Sequence, residues 1–204
     1  MTPLYELTRL TVRPASIAVP ALQKALASDP IPGRLLGAWM SEIGTLNQVV
    51  LLHAVDDPGA SRAARAARSE KGDLFGHNEV ALAHSVETFA GFPGLAAPPA
   101  GRLGPVYELR EYTLVPDGLA GTLAAWQAAL PARLAISPLV IAAYALEGVQ
   151  PRIFHIWPYP DLNERARIRA DAGARGIWPP KGGAARFATM QSSILLPLPF
   201  SPLQ

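Results

Sequence analysis

The chain has 204 residues and a net charge of +2 at pH 7, and its 50% hydrophobic against 17% charged residues support a folded core and argue against disorder. It contains no run of Lys and Arg, no apolar run near the ~18 residues of a membrane span and no signal-peptide pattern, so we expect a cytoplasmic protein with no nucleic-acid and no membrane partner. The absence of cysteine excludes disulfides and thiolate chemistry, and the abundance of Ala, Pro and Arg favours a bacterial source.

The first predicted element, residues 4–14, recurs at residues 106–116, with Tyr-Glu-Leu, a threonine and a proline at matching positions. Further matches follow in the same order: residues 49–53 with 153–157, Asp57 with Asp161, and Arg65 with Arg169. An ordered series of this kind indicates an internal repeat, so the chain is predicted to contain two copies of one unit.

Residues 93–105 separate the two copies and are dense in Pro and Gly, which disfavours both a helix and an inner strand. We therefore assign a first, diverged repeat to residues 1–92, a linker to residues 93–105 and a second repeat to residues 106–204. Each repeat has roughly 100 residues, enough for one small α/β unit.

In the second repeat, residues 106–114 alternate in polarity and are rich in Tyr, Leu, Thr and Val, which predicts a strand. Asp117 is expected to cap a helix whose apolar stripe consists of Leu119, Leu123, Trp126 and Leu130. The elements predicted after it are strands at 139–146 and 151–157, a helix of about 12 residues capped by Asp161, and a strand at 188–196. This βαββαβ order is that of a ferredoxin-like α+β unit, in which helices cover one face of an antiparallel sheet.

The other face of such a sheet is bare, and two such sheets can cover each other and close into a barrel. The predicted fold is therefore α+β, with two ferredoxin-like repeats forming a barrel. One fused chain can supply both halves, and homodimerisation through the same surfaces is the alternative. A homo-oligomer is the expected assembly.

Several motifs of the second repeat occur in an order that resembles one known family. They are Tyr107-Glu108-Leu109-Arg110-Glu111-Tyr112-Thr113 with Pro116, then His155-Ile156-Trp157 with Tyr159, then Arg169, Trp178 and the closing residues 194–203. In this order they resemble the NIPSNAP family, so the chain looks like tandem NIPSNAP domains. The first repeat is a weaker match, because Thr8 replaces the arginine of the first motif, and Leu51 and His53 replace the His-x-Trp pair.

The resemblance implies the dimeric α+β barrel fold. Relatives on that fold include cofactor-free monooxygenases, haem-degrading enzymes, isomerases and simple binding proteins, and fold alone does not determine function. We expect a small molecule in the barrel interior, with a cofactor-independent oxygenase or isomerase as one hypothesis and a non-catalytic binding or assembly module as the alternative. Any activity is expected in the second repeat.

Residues two apart on a strand share a face, so Glu108, Arg110 and Tyr112 are predicted to point the same way. We assign the more apolar face, with Tyr107 and Leu109, to the helices, which places the polar face in the barrel interior. His155 and Trp157 are expected beside it, because the first and third strands of this unit are neighbours.

This arrangement supplies candidates for chemistry. The candidate catalytic residues are Glu108, Arg110, Tyr112 and His155, and the candidate ligand-binding residues are Trp157 and Arg169. The structural alternative is an ion pair between Glu108 and Arg110, with His155 and Trp157 as packing residues. Arg165 and Arg169 lie four apart and could bind an anion, although a solvated helix face is the commoner role for such a pair.

The sequence shows no His-Glu-x-x-His motif, no GxGxxG or Walker loop and no GxSxG elbow. No metal site and no cofactor are therefore expected. Nucleotide-dependent and serine-hydrolase mechanisms are disfavoured on the same grounds.

Overall fold

A computed structural model describes residues 2–28, 32–72, 81–95 and 100–204. The elements of the first half are β1 (Leu4–Val12), α1 (Ala15–Ser28), β2 (Arg34–Ile43), β3 (Gln48–Val55), α2 (Pro58–Glu70) and β4 (Ala81–Gly91). Those of the second half are β5 (Val106–Leu114), α3 (Gly118–Leu134), β6 (Ile141–Ala145), β7 (Arg152–Tyr159), α4 (Leu162–Ala174), a 3₁₀ helix (Ala184–Arg186) and β8 (Phe187–Pro197). None of the helices in the described ranges is long and apolar enough to cross a membrane.

The eight strands form one closed antiparallel barrel in the order β1-β3-β2-β8-β5-β7-β6-β4. Within each half the four strands pair as a ferredoxin-like sheet, and β2–β8 and β4–β6 join the two sheets. The predicted α+β barrel of two βαββαβ units is confirmed. Of the two arrangements that the sequence left open, the structure shows closure within a single chain.

The predicted strands and helices of the second half are confirmed to within a few residues. The cap at Asp161 is also confirmed, since its Oδ1 accepts from the backbone N–H of Glu164 at 2.8 Å. The predicted cap at Asp117 is wrong, because that side chain makes no cap hydrogen bond. A capping side chain requires an extended backbone, whereas Asp117 has φ −97° and ψ 6°.

The barrel interior is filled by a hydrophobic core that draws on all eight strands and on no helix. Its large side chains meet across the two halves: the rings of Trp39 and Tyr107 are 5.4 Å apart, and those of Phe89 and Phe154 are 4.6 Å apart. Leu203, near the C-terminus, belongs to the same core. The barrel interior is therefore a packed core, and the location predicted for a ligand there is wrong.

A partly exposed ion cluster accompanies this core and also joins the halves. Arg9 of β1 pairs with Glu87 at 3.1 Å and with Glu111 of β5, and Arg152 of β7 pairs with both glutamates. Each half contributes one arginine and one glutamate, and two of the ion pairs, Arg9 with Glu111 and Arg152 with Glu87, cross between the halves.

The segment after β4 is tied to the C-terminus. The backbone N–H of Gly101 donates to the carbonyl of Pro202 at 3.0 Å, and that of Leu103 donates to Gln204 at 2.8 Å. Residues 96–99 of the predicted linker lie outside the described residues, so the linker boundaries stay a prediction.

Barrel closure predicts that the two halves unfold together. Phe154→Ala removes a fully buried ring from the shared core and should lower the free energy of unfolding by about 3–5 kcal/mol. Urea denaturation followed by circular dichroism should still show one transition. Val149→Ala, at a side chain that is 62% exposed, is the control and should change stability by about 0.5 kcal/mol or less. A first-half transition that stays at the wild-type midpoint in Phe154→Ala would contradict the shared core.

Candidate functional site

β5 faces the opposite way from the predicted orientation. Tyr107 and Leu109 belong to the barrel core, whereas Glu108, Arg110 and Tyr112 lie on the outer face, beneath α3 and α4. The prediction that these three point into the barrel is wrong. The prediction assigned the more apolar face of β5 to the helices. The interior of the closed barrel is enclosed by protein, however, so the apolar face packs there.

The predicted neighbourhood of β5 and β7 is confirmed. In their antiparallel register, Glu108 lies opposite Trp157 and Arg110 lies opposite His155. The polar residues therefore do converge, as the strand pairing requires, but on the helix-covered side of the sheet.

Glu108 is fully buried and is the common partner of several cations. Its Oε1 accepts from Arg110 Nη1 at 2.8 Å, from Arg165 Nη2 at 2.6 Å and from Ser192 Oγ at 2.8 Å. Arg169 Nη1 lies 3.6 Å from Oε2. This carboxylate thus connects β5, β8 and α4.

Burial alone would raise the pKa of Glu108, but the hydrogen bonds from Arg165 and Ser192 and the charge of Arg110 outweigh it and lower the pKa to about 2. Glu108 is therefore ionised at neutral pH. Its charge holds the three arginines in place.

A cavity of about 300 Å³ lies beside this cluster, between the outer face of the sheet and α3, α4 and the 3₁₀ region. Its walls are mainly aromatic and apolar, with three guanidinium groups and one imidazole among them. The lining residues are Arg110, Tyr112, Trp126, Arg133, His155, Trp157, Tyr159, Arg169, Ala172, Gly173, Trp178, Pro179, Pro180, Ala184, Phe187 and Met190.

Aromatic rings meet edge to face along one wall. Trp126 of α3 lies 4.7 Å from Trp178 and 4.8 Å from His155, measured between ring centroids. Tyr112 completes the wall at 5.1 Å from His155. Edge-to-face packing of this kind fixes the rings and so keeps the cavity's shape.

Arg133 of α3 is 2% exposed, and its guanidinium stacks over the Trp157 ring at 4.3 Å. Its Nη1 donates to Ser137 Oγ at 2.9 Å. In the part of the chain that the structure describes, Arg133 has no ion pair with a carboxylate, and its Nε has no hydrogen-bond partner. A buried cation without a counter-charge is costly, which makes this position conspicuous.

Trp157 determines the tautomer of His155. The indole Nε1–H donates to His155 Nδ1 at 2.6 Å, so the neutral ring carries its proton on Nε2. Burial, followed by the positive charge of Arg110, lowers the pKa of His155 to about 3. His155 is therefore neutral at physiological pH, and its Nε2 lacks a partner among the described residues.

The first half keeps the carboxylate of this arrangement but loses most of its cations. Glu6, the counterpart of Glu108, accepts from Ser61 Oγ at 2.7 Å and lies 3.6 Å from Arg65. Its neighbour Thr8 occupies the position of Arg110. Among the described contacts, Glu6 meets one arginine where Glu108 meets three.

Apolar side chains occupy two further equivalent positions. Leu10 and Leu51 stand where the second half has Tyr112 and His155, and both belong to the core beneath α1. His53, at the position of Trp157, is buried, and burial lowers its pKa to about 4.

Five of the six residues singled out from the sequence line the cavity; Glu108 does not, because it lies behind the arginines that it orients. Sequence reasoning missed Arg133, although a signal was present: it follows Trp126 and Leu130 on the buried stripe of α3, where a charge is unexpected. Within the described ranges, no three His, Asp or Glu side chains are placed to hold a metal ion.

The family model and the related sequences agree on one protein family. The family model described as NIPSNAP matches residues 5–88 and 107–202. A NipSnap homologue of Dictyostelium discoideum is 26% identical over 168 residues, which cover 80% of this chain and 74% of the relative. NipSnap homologue 2 of Homo sapiens is 26% identical over 98% of this chain and 75% of its own length. These relatives are eukaryotic, so a bacterial source stays a prediction.

Solved structures with a similar fold cover nearly the whole chain. A proposed monooxygenase from Lactobacillus acidophilus superimposes with a TM-score of 0.70 at 12% identity, covering 97% of this chain and 94% of its own. An anthrone oxidase-like protein superimposes with a TM-score of 0.66 at 10% identity, covering 99% and 94%. At these identities the likeness is one of fold.

Glu108→Gln tests the buried carboxylate. Removing its charge leaves three arginines without their common counter-ion, and we expect a loss of roughly 2 kcal/mol in the free energy of unfolding at pH 7, since the arginines are partly solvated. Because the folded-state pKa of about 2 lies below the unfolded value, this contribution is present above pH ~4.5 and fades as pH falls toward 2.

The matched control for that experiment is Glu6→Gln in the first half, where only Ser61 and Arg65 are affected. Urea denaturation at pH 7 and at pH 3 should show the larger, pH-sensitive loss in Glu108→Gln. Equal losses in the two variants would contradict a special role for the arginine cluster.

The tautomer of His155 can be observed directly. Long-range ¹H–¹⁵N NMR spectra should assign the proton to Nε2 and show no titration of this ring between pH 8 and pH 5, because its pKa is lowered to about 3. Trp157→Phe removes the donor to Nδ1 and should allow both tautomers. A ring that titrates near the ordinary value of about 6.5 would contradict the assignment.

Proposed function

The chain belongs to the NIPSNAP family, and we propose that its second half binds a small molecule in the cavity beneath α3 and α4. One observation carries this proposal: a cavity of about 300 Å³ coincides with the polar residues that distinguish the second half from the first. A small molecule was also expected from the sequence, but the site proposed for it is now the outer face of the sheet instead of the barrel interior.

The cavity has the features of a small-molecule site. Its volume is at the lower end of the ~300–1,000 Å³ usual for ligand pockets. Aromatic and apolar walls supply contact area, and a few converging polar groups supply orientation. Edge-to-face contacts of Trp178 with Trp126 and Trp157 support a preformed site, which saves a ligand the cost of ordering it.

The geometry favours binding over acid–base catalysis. A general base needs a pKa near the working pH and contact with the substrate. His155 carries its proton on the nitrogen left free by Trp157, and burial holds its pKa far below neutrality. Glu108 does not line the cavity. An oxygenase or isomerase would have to rely on Tyr112 and the arginines, so non-catalytic binding is the function best supported.

Gly173 of α4 lines the cavity and provides a direct test. A Cβ built there meets only the carbonyl oxygen of Trp178, at 3.9 Å, so a side chain is tolerated by its surroundings. Gly173→Leu should fill the cavity and weaken ligand binding roughly tenfold or more, because packed interiors have no spare volume. Gly173→Ala is the matched control and should bind as the wild type does.

Binding can be followed by tryptophan fluorescence, since three of the four tryptophans line the cavity. A panel of flat aromatic compounds should contain members that change the emission of the wild type and of Gly173→Ala but not of Gly173→Leu. The proposal fails if no member binds, or if Gly173→Leu binds equally well.

A further inference from the structure

We infer that the ligand of this cavity is an aromatic carboxylate, whose carboxylate is received by Arg133, Arg169 and His155 and whose ring lies against the tryptophans. This inference rests on the proposed function and adds the chemical class of the ligand. It follows from the charge balance of the site, from its unpartnered donors and from the shape of its walls.

The charge balance calls for an anion. Arg110, Arg165 and Arg169 share the carboxylate of Glu108, and Arg133 contributes a fourth guanidinium nearby. Four positive charges against one negative charge leave a surplus of three, and no acidic side chain among the described residues lines the cavity. An anionic ligand would offset part of this surplus.

The histidine does not change that balance. Buried and neutral, His155 adds no positive charge at physiological pH, and guanidinium groups stay charged in proteins. The positive field of the cavity is therefore permanent and is not switched by pH in the neutral range.

Unpartnered donors support a carboxylate as the anionic group. Arg133 Nε, His155 Nε2 and Trp126 Nε1 are buried nitrogens without a hydrogen-bond partner among the described residues, and all three belong to side chains that line the cavity. Trp157 contacts the first two of these side chains, stacking on the guanidinium and donating to the imidazole. The oxygens of a carboxylate accept from such donors, and donors left without a partner carry the full desolvation penalty.

The walls define the rest of the ligand. Trp126, Trp157, Trp178 and Phe187 offer ring faces and edges, and such surfaces favour a flat aromatic body. Arg169, with 39% of its side chain exposed, and Met190, which is 59% exposed, mark the side from which solvent reaches the cavity. A carboxylate entering there meets Arg169 first.

Isothermal titration of the full chain with 2-naphthoate and with 2-naphthamide tests the inference, since the two probes share a ring system and differ in charge. We expect 2-naphthoate to bind at least about tenfold more tightly, as charge-assisted hydrogen bonds imply. Arg169→Met should remove most of that difference. Arg167→Met removes the same charge from the outer face of α4, where Arg167 is 66% exposed and pairs with Glu164, and should preserve it.

The outcomes separate the two proposals. Equal binding of both probes would overturn the anion inference and leave the small-molecule function standing. Equal losses in Arg169→Met and Arg167→Met would also overturn it, because the preference would then reflect overall charge. Binding of neither probe would overturn the inference and the proposed function together.

Discussion

Both faces of β5 and β7 are covered by protein over most of their length, and this constraint determines where polar chemistry can occur. The inner face meets strands of the opposite half, with Trp39 against Tyr107 and Phe89 against Phe154. The outer face meets helices. A polar side chain on either face of these strands must therefore find its partners within the protein, because buried charges without partners are costly. The placement of Glu108 among arginines of β5 and α4 is one solution to that constraint.

The two halves solve it differently, and the difference gives the molecule its asymmetry. Glu6 meets Ser61 and Arg65, and Leu10 and Leu51 stand at the positions of Tyr112 and His155. The second half instead places several guanidinium groups and three tryptophans around open space. The first half thereby serves as a structural partner that closes the barrel, while the second half holds the cavity.

Electrostatics within the cavity depend on one residue that does not touch it. Glu108 orients Arg110, Arg165 and Arg169 from behind, and its low pKa means that it does so at any pH near neutrality. Trp157 has a similar indirect effect, since its indole N–H determines which nitrogen of His155 carries the proton. The residues that define the site's chemistry are thus held by neighbours, which favours a preorganised binding site.

The sequence by itself determined the repeat, the βαββαβ order and the pairing of β5 with β7, because periodicity and topology depend on local pattern. It also identified Glu108, Arg110, Tyr112, His155 and Trp157 as a group, since residues two apart on a strand share a face and the two strands are neighbours. Only the tertiary structure decided which face that was. An apolar strand face can pack against helices or against a second sheet. The choice depends on which of the two spaces excludes water more completely, and the sequence of a single strand does not contain that information. Likewise, the sequence did not predict a role for Arg133. Only the tertiary structure shows its guanidinium over Trp157, without an ion pair among the described residues.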